Sequence, residues 1–350
     1  MEFPEIFLHE SEDDDEAAAG TALAAHLVDL GIDAPFVLSS VHGLELAQAS
    51  ARAGTLETPP VGATQRWSLE MGARAQQSDA DAIVAIGGGR CLDVGKLAAS
   101  RAGLTLIAVP TQLSHDGICS PVAVVPPEGA RCGESLGAIA PRAVFVSLPT
   151  LRKAPVDSLR AGIGDLLANP LALRDWSLAV DRGLEDADAR AWDLSVESFE
   201  RVEHYLDQDP TDLAGDGRFL RALADGLVLS GLAMIACGTS RPASGAEHEI
   251  SHAIDELYGG RALHGAQVAF GCLISVALHG EDTDAFRGRL ARLGLPERPR
   301  DLGFTSDDVV NVIQSAPATR PGRFTILEQA NLDEDSARAI VARVWREGTT

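Results

Sequence analysis

Lysine is almost missing from this sequence: Lys96 and Lys153 stand against 27 arginines in 350 residues. An ammonium group that binds a phosphate can therefore come from those two positions alone. Positive charge as a whole is scarce. Basic residues number 29 against 51 acidic ones, for a net charge of −22, which excludes a broad surface for nucleic acid or anionic membrane. No two of the five cysteines (Cys91, Cys119, Cys132, Cys237 and Cys272) form a CxxC pair, so neither a disulfide framework nor a thiolate metal site is expected. The longest apolar run, Gly226 to Cys237, falls short of the ~20 residues that span a bilayer. The opening stretch MEFPEIFLHESEDDDE lacks a basic n-region and an apolar h-region, so no signal peptide is expected and the expected location is cytoplasmic. Internal repeats are absent. The one biased segment, Glu12 to Glu16, reads as a solvated acidic tip.

Hydrophobic residues make up 45% and charged residues 23%, the balance of an ordinary globular protein. At ~150 residues per domain the length predicts two domains. Up to about residue 153 the pattern alternates. Helix-like Ala17–Leu30, Leu44–Arg52 and Asp93–Arg101 are interleaved with apolar strands Pro35–Ser40, Ala82–Ile86 and Leu104–Val109. Continuous apolar strands between helices predict a parallel sheet covered on both faces. From 154 to 350 helical periodicity prevails: Leu171–Val180, Ala187–Leu206, Phe219–Ile235, Ala246–Leu257, Gln267–Leu278 and Asp335–Trp345. The expected organisation is an α/β domain over 1–153 and an all-α domain over 154–350.

Three places carry chemistry. In the first, DAIVAIGGGRCLDVGK, an apolar strand runs into Gly87, Gly88 and Gly89 and then into a helix. Glycines let the backbone approach a phosphate, and the new helix aims its free N–H groups at it. The spacing is not GxGxxG, and a tight strand-to-helix turn has the same appearance. Asp93 and Lys96 share one helix face close by. The second is VPTQLSHDGICSP, a polar loop after a strand, where ligands of parallel sheets collect; an ordinary turn uses the same residue types.

The third place is a cluster of histidines. His248, His252 and His264 lie within 17 residues, although the whole chain has only nine. His248 and His252 are four apart and project from one helix face, able either to share a metal or to divide metal from substrate. Imidazole is a common ligand for zinc or iron, and a surface HxxxH pair is the plainer alternative. Asp165 in GIGDLL is the best carboxylate to complete a set, though it could equally be the N-cap of the following helix. One Asp with two His leaves one position open on a metal, as catalytic sites do.

The stretches IGGGRCLDVGK, VPTQLSHDGICSP, AGIGDLLANPLALRDW, SGAEHEISHAIDEL and LHGAQVAFG together resemble one family, the sn-glycerol-1-phosphate dehydrogenases. That family is akin to glycerol dehydrogenases, iron-containing alcohol dehydrogenases and dehydroquinate synthases. The resemblance implies a Rossmann-like N-terminal domain and a helical C-terminal domain of the dehydroquinate-synthase-like kind. It implies that NAD(H) or NADP(H) is held by Gly87, Gly88, Gly89, Arg90, Cys91, Leu92, Asp93, Lys96, Thr111, Gln112, Leu113, Ser114 and Ser120. Asp165, His248 and His264 would bind one divalent metal, zinc first, with iron or nickel also accommodated. Asp116 and His252 would act on the substrate, with Asp165 beside them. The implied reaction interconverts dihydroxyacetone phosphate and sn-glycerol 1-phosphate, or a closely related ketone and alcohol pair. The alternatives are a dehydroquinate-synthase-like lyase or cyclase using NAD and zinc, a related dehydrogenase of secondary metabolism, and a nucleotide-binding pseudoenzyme. Ser147 departs from the family, which often has an acidic residue there.

The expected partner is a small-molecule substrate, without nucleic acid or membrane insertion, in a homo-oligomer. Ser39 and Ser40 end the second predicted strand with no carboxylate to repel a 2′-phosphate, so use of both NADH and NADPH is expected. Arg241 and Arg261 are the cations nearest in sequence to the histidines and are the expected partners of a substrate phosphate.

Overall fold

The computed structural model describes residues 3–11, 15–50, 55–130 and 133–345. Cys132, Arg52 and residues 12–14 of the acidic run lie outside the described residues. The chain forms two compact units: Met1–Pro155 with Gly215–Gly231, and Val156–Ala214 with Leu232–Thr350.

The first unit is built on β1 (Glu5–His9), β2 (Pro35–Ser39), β3 (Thr55–Glu57), β4 (Ala82–Gly87), β5 (Thr105–Pro110), β6 (Val122–Val125), β7 (Glu134–Gly137) and β8 (Ala143–Ser147). Six of these form one sheet in the order β1-β8-β5-β4-β2-β3, parallel throughout, and β6 and β7 pair as an antiparallel hairpin. Its helices are α1 (Glu16–Asp29), α2 (Leu44–Ser50), α3 (Gln65–Gln77), α4 (Gly89–Ala102) and α5 (Leu148–Leu151). Leu23 and Leu27 of α1 pack with Val37, Val84, Ile107 and Phe145 in one core cluster. Each such buried side chain contributes about 1.5–3 kcal/mol. The chain runs from β2 outward to β3 and then from β4 the other way, so the order reverses between β2 and β4. Crevices at such switch points are where doubly wound sheets take ligands, and the three-glycine turn follows β4.

Four strands carry little signal in the sequence. β1 is only partly buried, β3 has three residues, and the β6–β7 hairpin alternates without a long apolar run. Helix α4 starts at Gly89, a full turn before the predicted Asp93. Glycine's poor helix propensity hid that first turn.

The second unit consists of α6 (Val156–Leu166), α7 (Asn169–Asp181), α8 (Ala189–Glu203), α9 (Pro210–Leu213), part of α10 (Gly217–Cys237), α11 (Ala246–Tyr258), α12 (His264–Leu278), α13 (Thr283–Leu293), α14 (Ser306–Ser315), α15 (Ile326–Ala330) and α16 (Glu334–Val344). All strands among the described residues belong to the first unit. Ile250 and Ile254 of α11 pack on Phe270 and Ile274 of α12 and on Val309 and Ile313 of α14. The helix α10 extends well before the apolar run Gly226 to Cys237. That helix has 21 residues, long and apolar enough by length and composition to cross a membrane, and 67% of its most apolar window is buried inside the protein. Its residues up to Gly231 belong to the first unit, whereas the sequence reading puts the whole helix in the second domain.

Candidate metal centre and cofactor turn

Three helices of the second unit bring Asp165, His248 and His264 together. One donor atom from each lies within 4.8 Å of the other two. His248 Nε2 is 3.7 Å and His264 Nε2 3.8 Å from Asp165 Oδ1. Asp165 and His248 are buried and His264 is half-buried, so the cluster has one open side. One carboxylate oxygen and two imidazole nitrogens fit zinc, iron or nickel, with positions left over for a reacting group.

The sequence reading leaves open that Asp165 caps the helix after it. It does not: Asp165 lies in the last turn of α6. The glycines of GIGDLL suggest a turn, but Gly164 serves close packing inside a helix. A Cβ there would collide with the Gly265 carbonyl oxygen, so α6 meets the start of α12, which carries His264 as its first residue. Gly271 does the same between α12 and α11, since a Cβ there would lie 2.5 Å from the Glu247 carbonyl oxygen.

Neighbouring groups hold the rings. Glu247 accepts from His248 Nδ1 at 3.1 Å, which leaves Nε2 directed at Asp165. Such a carboxylate behind a ligating histidine fixes its tautomer and raises its basicity. Burial pushes the His248 imidazole down, but Asp165 and Glu247 outweigh it and raise it to about 9. Ser251 Oγ is 3.3 Å from His264 Nδ1. Gln267 closes the loop between the two helices: its Oε1 accepts from Arg261 N at 2.6 Å and Ala262 N at 3.2 Å, and its Nε2 donates to Asp255 at 2.9 Å. Gly259 and Gly260, with φ of 76° and 78°, allow the turn that this requires. Glu247, Ser251 and Gln267 were absent from the sequence reading. Of these, Glu247 had a signal, as a carboxylate adjacent to a candidate ligand.

His252 is set apart from the ligand trio. Arg320 donates to its Nε2 at 2.8 Å. A guanidinium has no acceptor, so Nε2 carries a lone pair and the ring proton sits on Nδ1. Burial, then Arg320 and the other two histidines, hold the His252 imidazole well below its ordinary value, so it is neutral at pH 7. Its ring centroid is 6.1 Å from that of His264. Of the two arginines expected at a substrate phosphate, Arg261 instead lies over the Tyr258 and Phe304 rings, 5.7 Å from each centroid. Arg241 is buried, with Nε on Glu185 at 2.8 Å.

The candidates for dinucleotide binding lie in the first unit. Gly87 ends β4, Gly88 is the N-cap of α4, and no side chain caps that helix. Its first N–H groups are thus available to an anion. Arg90 is exposed, and Gln112 beside the turn is half-buried. Thr111, Ser114 and Ser120 are buried polar residues of the following loop. The side chains of the other candidates are engaged within the unit. Leu92 and Leu113 belong to the core, and the buried Cys91 thiol, raised to about 12 by desolvation, faces the Ile86 and Leu38 carbonyls. Lys96 is fully buried: its Nζ donates to Asp93 at 3.2 Å and to the Val122 carbonyl at 2.8 Å, and Asp93 also accepts from Val124 N. This pair joins α4 to the β6–β7 hairpin. Asp116, also in the first unit, accepts from Ser230 at 2.9 Å.

Comparison with known proteins gives concordant results. The family model described as iron-containing alcohol dehydrogenase matches residues 13–155. A glycerol-1-phosphate dehydrogenase [NAD(P)+] of Cenarchaeum symbiosum (strain A) is 38% identical over 261 residues, covering 75% of this chain and 72% of its own. The enzyme of the same name from Hyperthermus butylicus is 38% identical over 262 residues, with coverages of 75% and 73%. Among solved structures, a probable glycerol dehydrogenase from Sinorhizobium meliloti 1021 superposes with a TM-score of 0.79 at 22% identity, over 98% of this chain and 96% of that one. A sulfoacetaldehyde reductase from Bifidobacterium kashiwanohense in complex with NAD+ gives a TM-score of 0.71 at 13% identity, over 99% and 100%. At these identities the two structures report the fold alone.

Proposed function

The chain belongs to the glycerol-1-phosphate dehydrogenase family, and from that premise and the Asp165, His248 and His264 cluster we propose that it interconverts dihydroxyacetone phosphate and sn-glycerol 1-phosphate with NADH or NADPH. The observation that carries this reading is the convergence of one carboxylate and two imidazoles within 4.8 Å in a chain with those relatives. A divalent metal bound there supplies Lewis acidity to a carbonyl oxygen, and a bound nicotinamide exchanges the hydride.

The chain's own residues then have separable tasks. Asp165, His248 and His264 hold the metal, and Glu247 keeps His248 in the ligating tautomer. His252, neutral and protonated on Nδ1, donates a hydrogen bond to a substrate oxygen. The uncapped start of α4 takes the dinucleotide pyrophosphate, with Thr111, Ser114 and Ser120 as further donors. The buried thiols Cys91, Cys119 and Cys272 suit a reducing, cytoplasmic compartment.

The test is reduction of dihydroxyacetone phosphate by zinc-loaded protein, followed by loss of reduced-nicotinamide absorbance and by chiral analysis of the product. sn-Glycerol 1-phosphate is the expected product. The 3-phosphate enantiomer, or no turnover with either nicotinamide, would overturn the reading.

A further inference from the structure

A pocket of about 550 Å³ in the second unit is walled by three arginines, Arg241, Arg320 and Arg323. Their charge is poorly compensated. Among the described residues only Arg241 has an ion-pair partner, Glu185 at 2.8 Å. Arg320 and Arg323 donate instead to neutral acceptors. Arg320 reaches Ser240 Oγ at 3.4 Å and His252 Nε2 at 2.8 Å, and Arg323 reaches Ser240 Oγ at 3.0 Å and the Ser244 carbonyl. Arg241, only 2% exposed, keeps a buried Nη1 with no hydrogen-bond partner. Glu249 acts on Arg320 and Arg323 through space without forming an ion pair with either, and its Oε2 accepts from Thr325 Oγ1 at 3.1 Å. Glu185 is occupied by Arg241, and Asp186, also on the wall, is exposed.

Three guanidinium groups around one cavity with a single ion pair among them are costly unless an anion joins them. We infer that this pocket binds a phosphate monoester dianion, with Arg320 and Arg323 as its principal donors. Planar guanidinium groups match phosphate oxygens in pairs. Arg320 also touches His252, the residue assigned to the substrate. The phosphate carried by the ketone substrate is therefore the occupant, an inference that rests on the reaction proposed above. Neither residue has a motif to advertise it, and they lie about 70 positions beyond the histidine helix.

The experiment compares wild type with Arg323→Gln, Arg323→Lys and Arg320→Gln, each first shown by its melting curve to be folded. Two readouts apply: KM for dihydroxyacetone phosphate against dihydroxyacetone, and calorimetric binding of inorganic phosphate to the protein without nicotinamide. Loss of a charge-assisted pair predicts a ~10- to 100-fold rise in KM for the phosphorylated ketone and a much smaller rise for dihydroxyacetone. Arg323→Lys should recover part of the loss. Inorganic phosphate should bind wild type, compete with the phosphorylated ketone and bind each Gln variant at least tenfold more weakly. Equal KM effects on both ketones, or phosphate binding unchanged in the variants, would overturn the assignment while leaving the proposed reaction standing. If wild type fails to reduce the phosphorylated ketone but phosphate binding still depends on both arginines, the reaction falls and the anion site stands. Binding that depends on both arginines but does not compete with the ketone would place a separate phosphate effector there and remove the substrate from the pocket.

Discussion

His248 and His252 are one helical turn apart and of one type, yet their neighbours divide their work. His248 is backed by Glu247 and faces Asp165; His252 is held through Nε2 by Arg320. Replacing His248 with alanine should remove bound metal and activity together. His252→Ala should keep close to one metal per chain and lose about 10²–10⁴ in turnover, the usual range for a positioned proton donor. Elemental analysis alongside steady-state rates distinguishes the two, and metal loss in His252→Ala with retention in His248→Ala would reverse the roles. The acid–base behaviour of His248 has its own consequence. Because Asp165 and Glu247 raise it to about 9 against the opposing effect of burial, the imidazole is protonated in the ion-free protein at neutral pH. A metal must displace that proton. Affinity for zinc should therefore rise with pH, about tenfold per unit up to about pH 9, and then level off. Calorimetry in buffers of different ionisation enthalpy should find about one proton released per zinc at pH 7; no release would contradict the arrangement.

The elements were legible where apolar residues recur with a clear period. Helices α1, α7, α10, α11 and α12, and strands β2, β4 and β5, emerge from their sequences within a few residues. Segments built for close approach were not. In α6 the glycines that admit α12 look like loop residues, so the helix carrying Asp165 was missed although Asp165 itself was found. The two histidine ligands cluster in a short motif-rich stretch and could be read, whereas Arg320 and Arg323 come from a loop that only tertiary packing brings to His252. The packing role of Gly164 is testable. Gly164→Ala drives a methyl into the Gly265 carbonyl oxygen, so α12 must shift. Such overpacking costs about 1–3 kcal/mol. The variant should show a lower melting temperature together with weaker zinc binding, because His264 moves with α12. A variant as stable and as tight for zinc as wild type would show that α6 and α12 are not locked at this point.

At the scale of the whole molecule, each unit brings one half of the chemistry. The first has a reversal of strand order beside an uncapped helix start, and the second a carboxylate–imidazole cluster and an arginine pocket. After β2 come Ser40, Val41 and His42, with no carboxylate to repel a 2′-phosphate. The kcat/KM values for NADH and NADPH should lie within about 100-fold of each other, equivalent to about 2.8 kcal/mol; a wider gap favouring NADH would mean that a group elsewhere reads the ribose. In the proposed reaction one metal on Asp165, His248 and His264 enables reduction of dihydroxyacetone phosphate. Its most direct test is a titration of zinc into chelator-stripped protein with NADPH and dihydroxyacetone phosphate present, run on wild type and on Asp165→Asn. Activity should be absent at the start, rise linearly in wild type and break near one zinc per chain, while Asp165→Asn needs far more zinc or never recovers. Full turnover by the stripped protein, or an unchanged titration curve for Asp165→Asn, would contradict the account.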